Sequence, residues 1–174
     1  MDLVSYLLGK HSSGGGVGYP KLTPYTFTYE NNYEIESVDL SGLDAIYMQS
    51  LGSMFSGCSS LLSITWGEFP QTTGNIYDIT SMFENCYLLE SIDLSQFDFS
   101  NLTNTSSAFA GCYALTFLDL RTIDFSNVVD SSNMLSDVPT TCTIVVADST
   151  QVDYFNNNFS DYTNVITVEE YESV

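Results

Sequence analysis

Met82-Phe83-Glu84-Asn85-Cys86-Tyr87-Leu88-Leu89-Glu90-Ser91-Ile92-Asp93-Leu94-Ser95-Gln96-Phe97-Asp98-Phe99-Ser100-Asn101-Leu102 is the stretch whose reading decides the fold. Its middle phrase, Glu90 to Ser95, alternates apolar and polar residues, so Ile92 and Leu94 point one way and the chain there reads as a short strand with one buried face. The same phrase stands 54 residues earlier as Glu36-Ser37-Val38-Asp39-Leu40-Ser41. A degenerate copy, Leu62-Ser63-Ile64-Thr65-Trp66-Gly67, lies midway, and Thr116-Phe117-Leu118-Asp119-Leu120-Arg121 and Cys142-Thr143-Ile144-Val145-Val146-Ala147 follow. Successive copies are offset by 26, 28, 26 and 26 residues. The Met82 to Cys86 phrase keeps the same beat as Met54-Phe55-Ser56-Gly57-Cys58, Ala108-Phe109-Ala110-Gly111-Cys112 and the altered Met134-Leu135-Ser136-Asp137-Val138.

A fixed period of this length signals a solenoid, in which no unit can bury its own apolar face and stacked neighbours complete one core. Each unit reads as strand, loop, a helical turn carrying Met and Phe inward, and return. The expected fold is an α/β solenoid of about five coils with a continuous parallel sheet along one side. Val38/Leu40, Ile64/Trp66, Ile92/Leu94, Leu118/Leu120 and Ile144/Val146 would point into its core.

These three phrases, in this order and spacing, resemble the BspA-like leucine-rich repeats of bacterial surface proteins over about Glu36 to Val146. Met82 to Leu102 matches almost throughout, and Ile123-Asp124-Phe125-Ser126-Asn127-Val128 repeats the inter-coil phrase. Glu68 to Ile79 departs from it, with Phe69-Pro70 and extra residues, so that coil is expected to bulge. The resemblance implies a leucine-rich-repeat-like right-handed superhelix and, more loosely, adhesion or display. Met1 to Lys10, followed by Ser12-Ser13-Gly14-Gly15-Gly16, also resembles the start of short proteins encoded by phages and prophages of gut Firmicutes.

Three segments follow from composition. Residues 1–10 carry Leu3, Val4, Tyr6, Leu7 and Leu8 on a short one-faced pattern ending at Gly9, too short to hold a helix alone in water. They read as an anchoring peptide that orders on a partner, with a frayed tail as the bland alternative. Residues 11–22 are a Gly/Ser-rich linker. Residues 23–174 form the repeat domain, divided into an N-terminal cap at 23–35, repeats at 36–147 and a C-terminal cap at 148–174. Tyr25 to Tyr29 alternates like a strand covering the open end. Thr150 to Phe159 reads as a helix with Val152, Phe155 and Phe159 on one face, capped by Ser149 or Thr150. Asn164 to Val168 suggests a last strand, and Glu169 to Val174 a frayed acidic tail.

Three cationic side chains, Lys10, Lys21 and Arg121, stand against 22 Asp and Glu, for a net charge of -19. Nucleic-acid binding needs Lys and Arg against phosphate and is excluded, and an anionic membrane surface would repel the chain. No secretory signal and no membrane-spanning run is expected, because the apolar stretch after Met1-Asp2 is too brief.

Cys58, Cys86, Cys112 and Cys142 recur at intervals of 28, 26 and 30, whereas metal ligands come in close pairs. Buried free thiols in a ladder are the preferred reading, although stacked equivalents lie close enough for disulfides to be conceivable. His11, the sole histidine, sits in the linker with no catalytic context. Asp39, Asp93 and Asp119 fall on the outward strand face, where adjacent carboxylates repel. A calcium site is outweighed there by a solvated acidic face, because the spacing fits no calcium repeat.

No catalytic residue, metal or cofactor is therefore assigned, and the chain is not expected to be an enzyme. The outward sheet face, with Asp39, Thr65, Asp93, Phe117, Asp119 and Arg121, is the expected ligand-binding surface. The expected function is display on a bacteriophage virion. Leu3, Val4, Tyr6, Leu7 and Leu8 would dock on other virion proteins, the solenoid would meet a host cell-surface glycan or protein, and the copies would form a trimer or higher ring. A bacterial cell-surface adhesin, or an assembly scaffold without a host ligand, is the alternative.

Overall fold

The computed structural model describes residues 21–23, 26–41, 49–67 and 76–173. The expected anchor at 1–10 and the linker up to residue 20 lie outside the described residues. The described residues begin with an antiparallel pair, β1 (Lys21–Thr23) and β2 (Thr26–Thr28). Directly after it, Tyr29 N donates to Met54 O and Asn31 N to Ser56 O, both at 2.7 Å. That segment thus covers the backbone groups that the first coil would otherwise leave open.

One strand then falls on each copy of the alternating phrase: β3 (Ser37–Asp39), β4 (Ser63–Thr65), β5 (Ser91–Asp93), β6 (Phe117–Asp119) and β7 (Thr143–Val146). They pair parallel and in register, Val38 opposite Ile64, Ile92 opposite Leu118, and Leu118 opposite Ile144. The period-two pattern behaves as its physics requires: Val38, Leu40, Ile92, Leu94, Leu118, Leu120, Ile144 and Val146 are buried, while Ser37, Asp39, Ser91 and Asp93 are exposed. The result is a β-solenoid of about four turns, with parallel sheets and little helix, where about five coils were expected: the five stacked strands enclose four turns between them.

Two expectations about the coil are corrected. The Met-Phe segments do not form helical turns, so the fold is a β-solenoid and not an α/β one. Each segment does make short local bonds, such as Met82 N to Ile79 O and Cys86 N to Phe83 O. The alternate N–H groups, however, leave the coil: Phe55 N donates to Met82 O, Gly57 N to Glu84 O, Phe83 N to Ala108 O, and Asn85 N to Ala110 O. What prevents a helix is a left-handed residue at two fixed places per coil. Ser53, Ser81, Ser107 and Asn133 precede the Met or Ala, and Gly57, Asn85, Gly111 and Asp137 precede the Cys or Val, all with φ between 53° and 75°. At Gly111, a Cβ would also stand 2.6 Å from Asn85 Oδ1, so both conformation and space call for glycine there.

The second correction concerns the sheet, which is split: β3 pairs only with β4, and β5 begins a separate sheet of β5, β6, β7 and β8 (Val165–Thr167). The break coincides with Trp66, which occupies the inward place held by Leu40, Leu94, Leu120 and Val146 in the other coils. Its indole lies edge-on to Phe55 at 6.0 Å and to Phe97 at 5.0 Å. The Trp66 ring thus lies against Phe55 of its own coil and Phe97 of the next, at the point where the strand ladder is interrupted. Across the coil the stack stays continuous, through a ladder of parallel bridges from Ser50 to Asp78 to Asn104 to Asp130.

The core is a set of columns. Tyr29, Phe55, Phe83 and Phe109 stack in sequence with centroids 5.8, 5.5 and 5.9 Å apart and ring planes within 16° of parallel. Beside them, all four cysteines are free and buried. Cys58, Cys86 and Cys112 each aim Sγ at a carbonyl of the preceding coil, that of Tyr29, Phe55 and Phe83 at 3.4, 3.2 and 3.2 Å. Cys142 does not join the ladder in which it was expected: Val138 takes the equivalent place, with its N–H on Leu135 O. Burial pushes the Cys112 thiol up to about 12 and those of Cys58 and Cys142 to about 11.

The C-terminal end is closed by α1 (Ser149–Asn158). Its N-cap is Asp148, not Ser149 or Thr150, and the Asp148 carboxylate accepts from Thr150 N at 2.9 Å and Gln151 N at 3.2 Å. Phe155 is buried edge-on to Phe125 at 5.1 Å. The buried Gln151 side chain accepts from Phe125 N at 2.9 Å and reaches Asp124 Oδ1 at 3.3 Å. The last expected strand is present as β8. The tail expected to fray is ordered instead as α2 (Val168–Glu172), started by a capping box between Thr167 and Glu170.

Candidate binding face

Strand alternation and the parallel register place Asp39 beside Thr65 on one sheet and Asp93 beside Asp119 on the other. Asp39, Thr65 and Asp93 are exposed as expected. The carboxylates of Asp39 and Asp93 each accept from the N–H two residues on, that of Ser41 and of Ser95, both at 2.8 Å. These short turns hold the side chains in fixed orientations at the ends of their strands.

The other three residues of the expected surface belong to the C-terminal closure, which corrects their placement on an open face. Asp119 is only 2% exposed. Arg121 covers it, with Nη2 at 2.7 Å and Nε at 2.9 Å from Oδ2, and Arg121 Nη1 reaches Glu172 at 2.7 Å. Bonding to the Asp119 carboxylate, with Glu172 adding to it, raises the pKa of Arg121 and holds the guanidinium charged. Phe117 is half-buried, its ring 5.5 Å from that of Tyr171, over which the Arg121 guanidinium also lies. The repulsion expected between Asp93 and Asp119 is answered by Arg121. The physical reason is the tail: once α2 folds over β6, its Tyr171 and Glu172 occupy the face in front of Phe117 and Arg121.

The open part of the face therefore ends at β5, and there the split in the sheet opens a cleft of about 250 Å3. It is lined by Leu62, Ser63, Ile64 and Trp66 from one coil and by Ser91, Ile92 and Asp93 from the next. Trp66 and Ile64 are half-buried, unlike their counterparts in the other coils. Sequence reasoning chose Asp93 but missed the cleft. Its signal was the 28-residue interval together with a Trp in a leucine place. A second missed feature is the exposed pair Tyr87 and Tyr113, with ring centroids 5.4 Å apart on adjacent coils.

Among the described residues, no group of three or more His, Cys, Asp or Glu side chains is arranged to hold a metal ion. Among the same residues, no helix is long and apolar enough to cross a membrane.

Stacked coils, a ladder of parallel strands and a face of short polar side chains define a β-solenoid repeat protein. The chain belongs to the family described as "Mycoplasma protein of unknown function, DUF285", which matches residues 24–148. It is a repeat family related to leucine-rich-repeat-like solenoids, so the resemblance to leucine-rich repeats holds at the level of solenoid architecture. No curated protein and no solved structure matches the chain.

Proposed function

We propose that this protein is a non-enzymatic display module, a rigid solenoid that presents the face of β3, β4 and β5 to a ligand on a cell surface. The observation that carries this reading is the asymmetry of the surface. Both ends of the stack are covered by the chain's own segments, and the β6 side of the face is closed by α2, while Asp39, Thr65, Asp93 and the cleft beside them stay open. A solenoid that served only as an inert spacer would have no need of a face open in one place and closed in another. The charge of -19 turns this face toward neutral or basic ligands and away from nucleic acid and anionic membranes.

As carrier we infer a bacteriophage particle, on the resemblance of residues 1–10 and the glycine tract to short phage-encoded proteins. Leu3, Val4, Tyr6, Leu7 and Leu8 would then dock on other virion proteins, and copy number, in a trimer or higher ring, would multiply weak contacts. A second reading, a bacterial cell-surface adhesin, rests on the resemblance of the repeats to the BspA-like repeats of bacterial surface proteins.

Mass spectrometry of density-purified particles and of fractionated producer cells separates the two. Recovery with particles, lost on deleting residues 2–10, supports the phage reading. Recovery on the cell envelope alone supports the adhesin, and recovery only in the cytosol defeats display altogether.

A further inference from the structure

We propose that the cleft between β4 and β5 binds a single uncharged pyranose ring, an end unit or exposed unit of a glycan; the proposal rests on the display reading for its biological setting. The first argument is size. At about 250 Å3 the cleft lies below the range of roughly 300–1,000 Å3 that takes drug-sized ligands, so it suits one ring.

The second argument is the lining, which is divided like a sugar. Trp66, Ile64 and Leu62 supply an apolar wall backed by the buried Ile92, and Ser63, Ser91 and Asp93 supply hydroxyl and carboxylate oxygens. A pyranose has a C–H face that packs on an indole, whose ring face is electron-rich, and a rim of hydroxyls that need partners. One oxygen of Asp93, Oδ1, already accepts from Ser95 N at 2.8 Å, which fixes the carboxylate. A ligand hydroxyl in the cleft would donate to the same carboxylate, a charge-assisted bond.

Competing ligand classes fit less well. A wholly apolar ligand would strip water from Asp93 without replacing it. A uronic or sialic acid would bring a negative charge against Asp93 on a chain of net charge -19. An extended peptide binding by strand addition would need a longer run of backbone than the three residues of β4 or of β5.

Trp66 is the only tryptophan in the chain, so in the folded protein emission excited selectively at the indole comes from a residue that lines this cleft. The full-length protein in solution is titrated at millimolar concentrations with the methyl glycosides of glucose, galactose, mannose and N-acetylglucosamine. The expected result is a saturable change in emission with at least one of them. Asp93→Asn should weaken it roughly tenfold through the lost charged acceptor. Ser91→Leu, which fills the cleft from the strand side, should abolish the response with the far-UV circular dichroism unchanged, and Ser63→Leu does the same from the other wall if the first variant fails to fold.

The proposal is overturned if none of the four glycosides changes the emission saturably. It is equally overturned if glucuronic acid binds as well as glucose, or if a lysine-containing extended peptide shifts Trp66 while no sugar does. Because this readout does not depend on where the protein is carried, absence from particles and envelopes would defeat the display reading and leave a sugar response standing. A silent Trp66 would leave display intact with some other ligand.

Discussion

Phe83→Ala tests the aromatic column at its centre. The ring is fully buried, stacked on Phe55 at 5.5 Å and on Phe109 at 5.9 Å. Truncating a buried Phe to Ala costs about 3–5 kcal/mol, and the value rises with the cavity that persists. Here collapse is resisted on both sides, because Phe55 N bonds to Met82 O and Phe83 N to Ala108 O and these hold the neighbouring coils at their spacing. The expected loss therefore lies in the upper part of that range, about 4–5 kcal/mol, or a fall in Tm of roughly 10–20 °C for a domain of this size. Leu135, at the equivalent place in the last repeat copy, has a smaller side chain and is slightly exposed, so Leu135→Ala should cost about 2–3 kcal/mol. Urea unfolding followed by both circular dichroism and Trp66 fluorescence measures the two. A cost for Phe83→Ala below that for Leu135→Ala would refute the stacked column as the centre of the core.

Three further outcomes are expected. Arg121→Ala leaves the buried Asp119 carboxylate without its cation and should cost about 3 kcal/mol in urea unfolding, whereas Glu172→Gln, at an exposed partner, should cost under about 1 kcal/mol. Gly111→Ala forces a φ of 75° on an L side chain and presses on Asn85 Oδ1, so it should lower stability by about 1–2 kcal/mol or more, measured in the same way. The buried thiols should react with iodoacetamide only after unfolding. Their folded pKa values are raised above the ordinary 9.0, so their contribution to stability is complete below about pH 9. It should fall away as pH rises toward 11, the value near which Cys58 and Cys142 ionise in the folded chain. Denaturation midpoints that stay level from pH 8 to 11 would contradict this linkage.

Much of the architecture was legible because a solenoid is quasi-one-dimensional: contacts run between equivalent positions of adjacent copies, so a period in the chain is a spacing in space. The strands, their inward residues and the C-terminal helix followed from alternation and periodicity alone. The Met-Phe segments did not, because spacing does not distinguish a helical turn from a ladder of turns. The difference lies in left-handed residues such as Ser81 and Asn85, which look ordinary in a sequence. The candidate face was legible only as far as β5. Asp93 was identified from strand alternation, but Phe117, Asp119 and Arg121 were read as open because Glu169 to Val174 shows no periodicity that would dock it.

The repeat period by itself determined where the five stacked strands fall and which side chains enter the core, since each is a property of one coil copied along the chain. Only the tertiary structure decided that the sheet divides at Trp66, leaving a cleft, and that α2 closes the far side of the face. Both depend on residues meeting across the stack, a large ring between two coils in one case and a tail returning 51 residues to Arg121 in the other, and such contacts leave no local pattern in the chain.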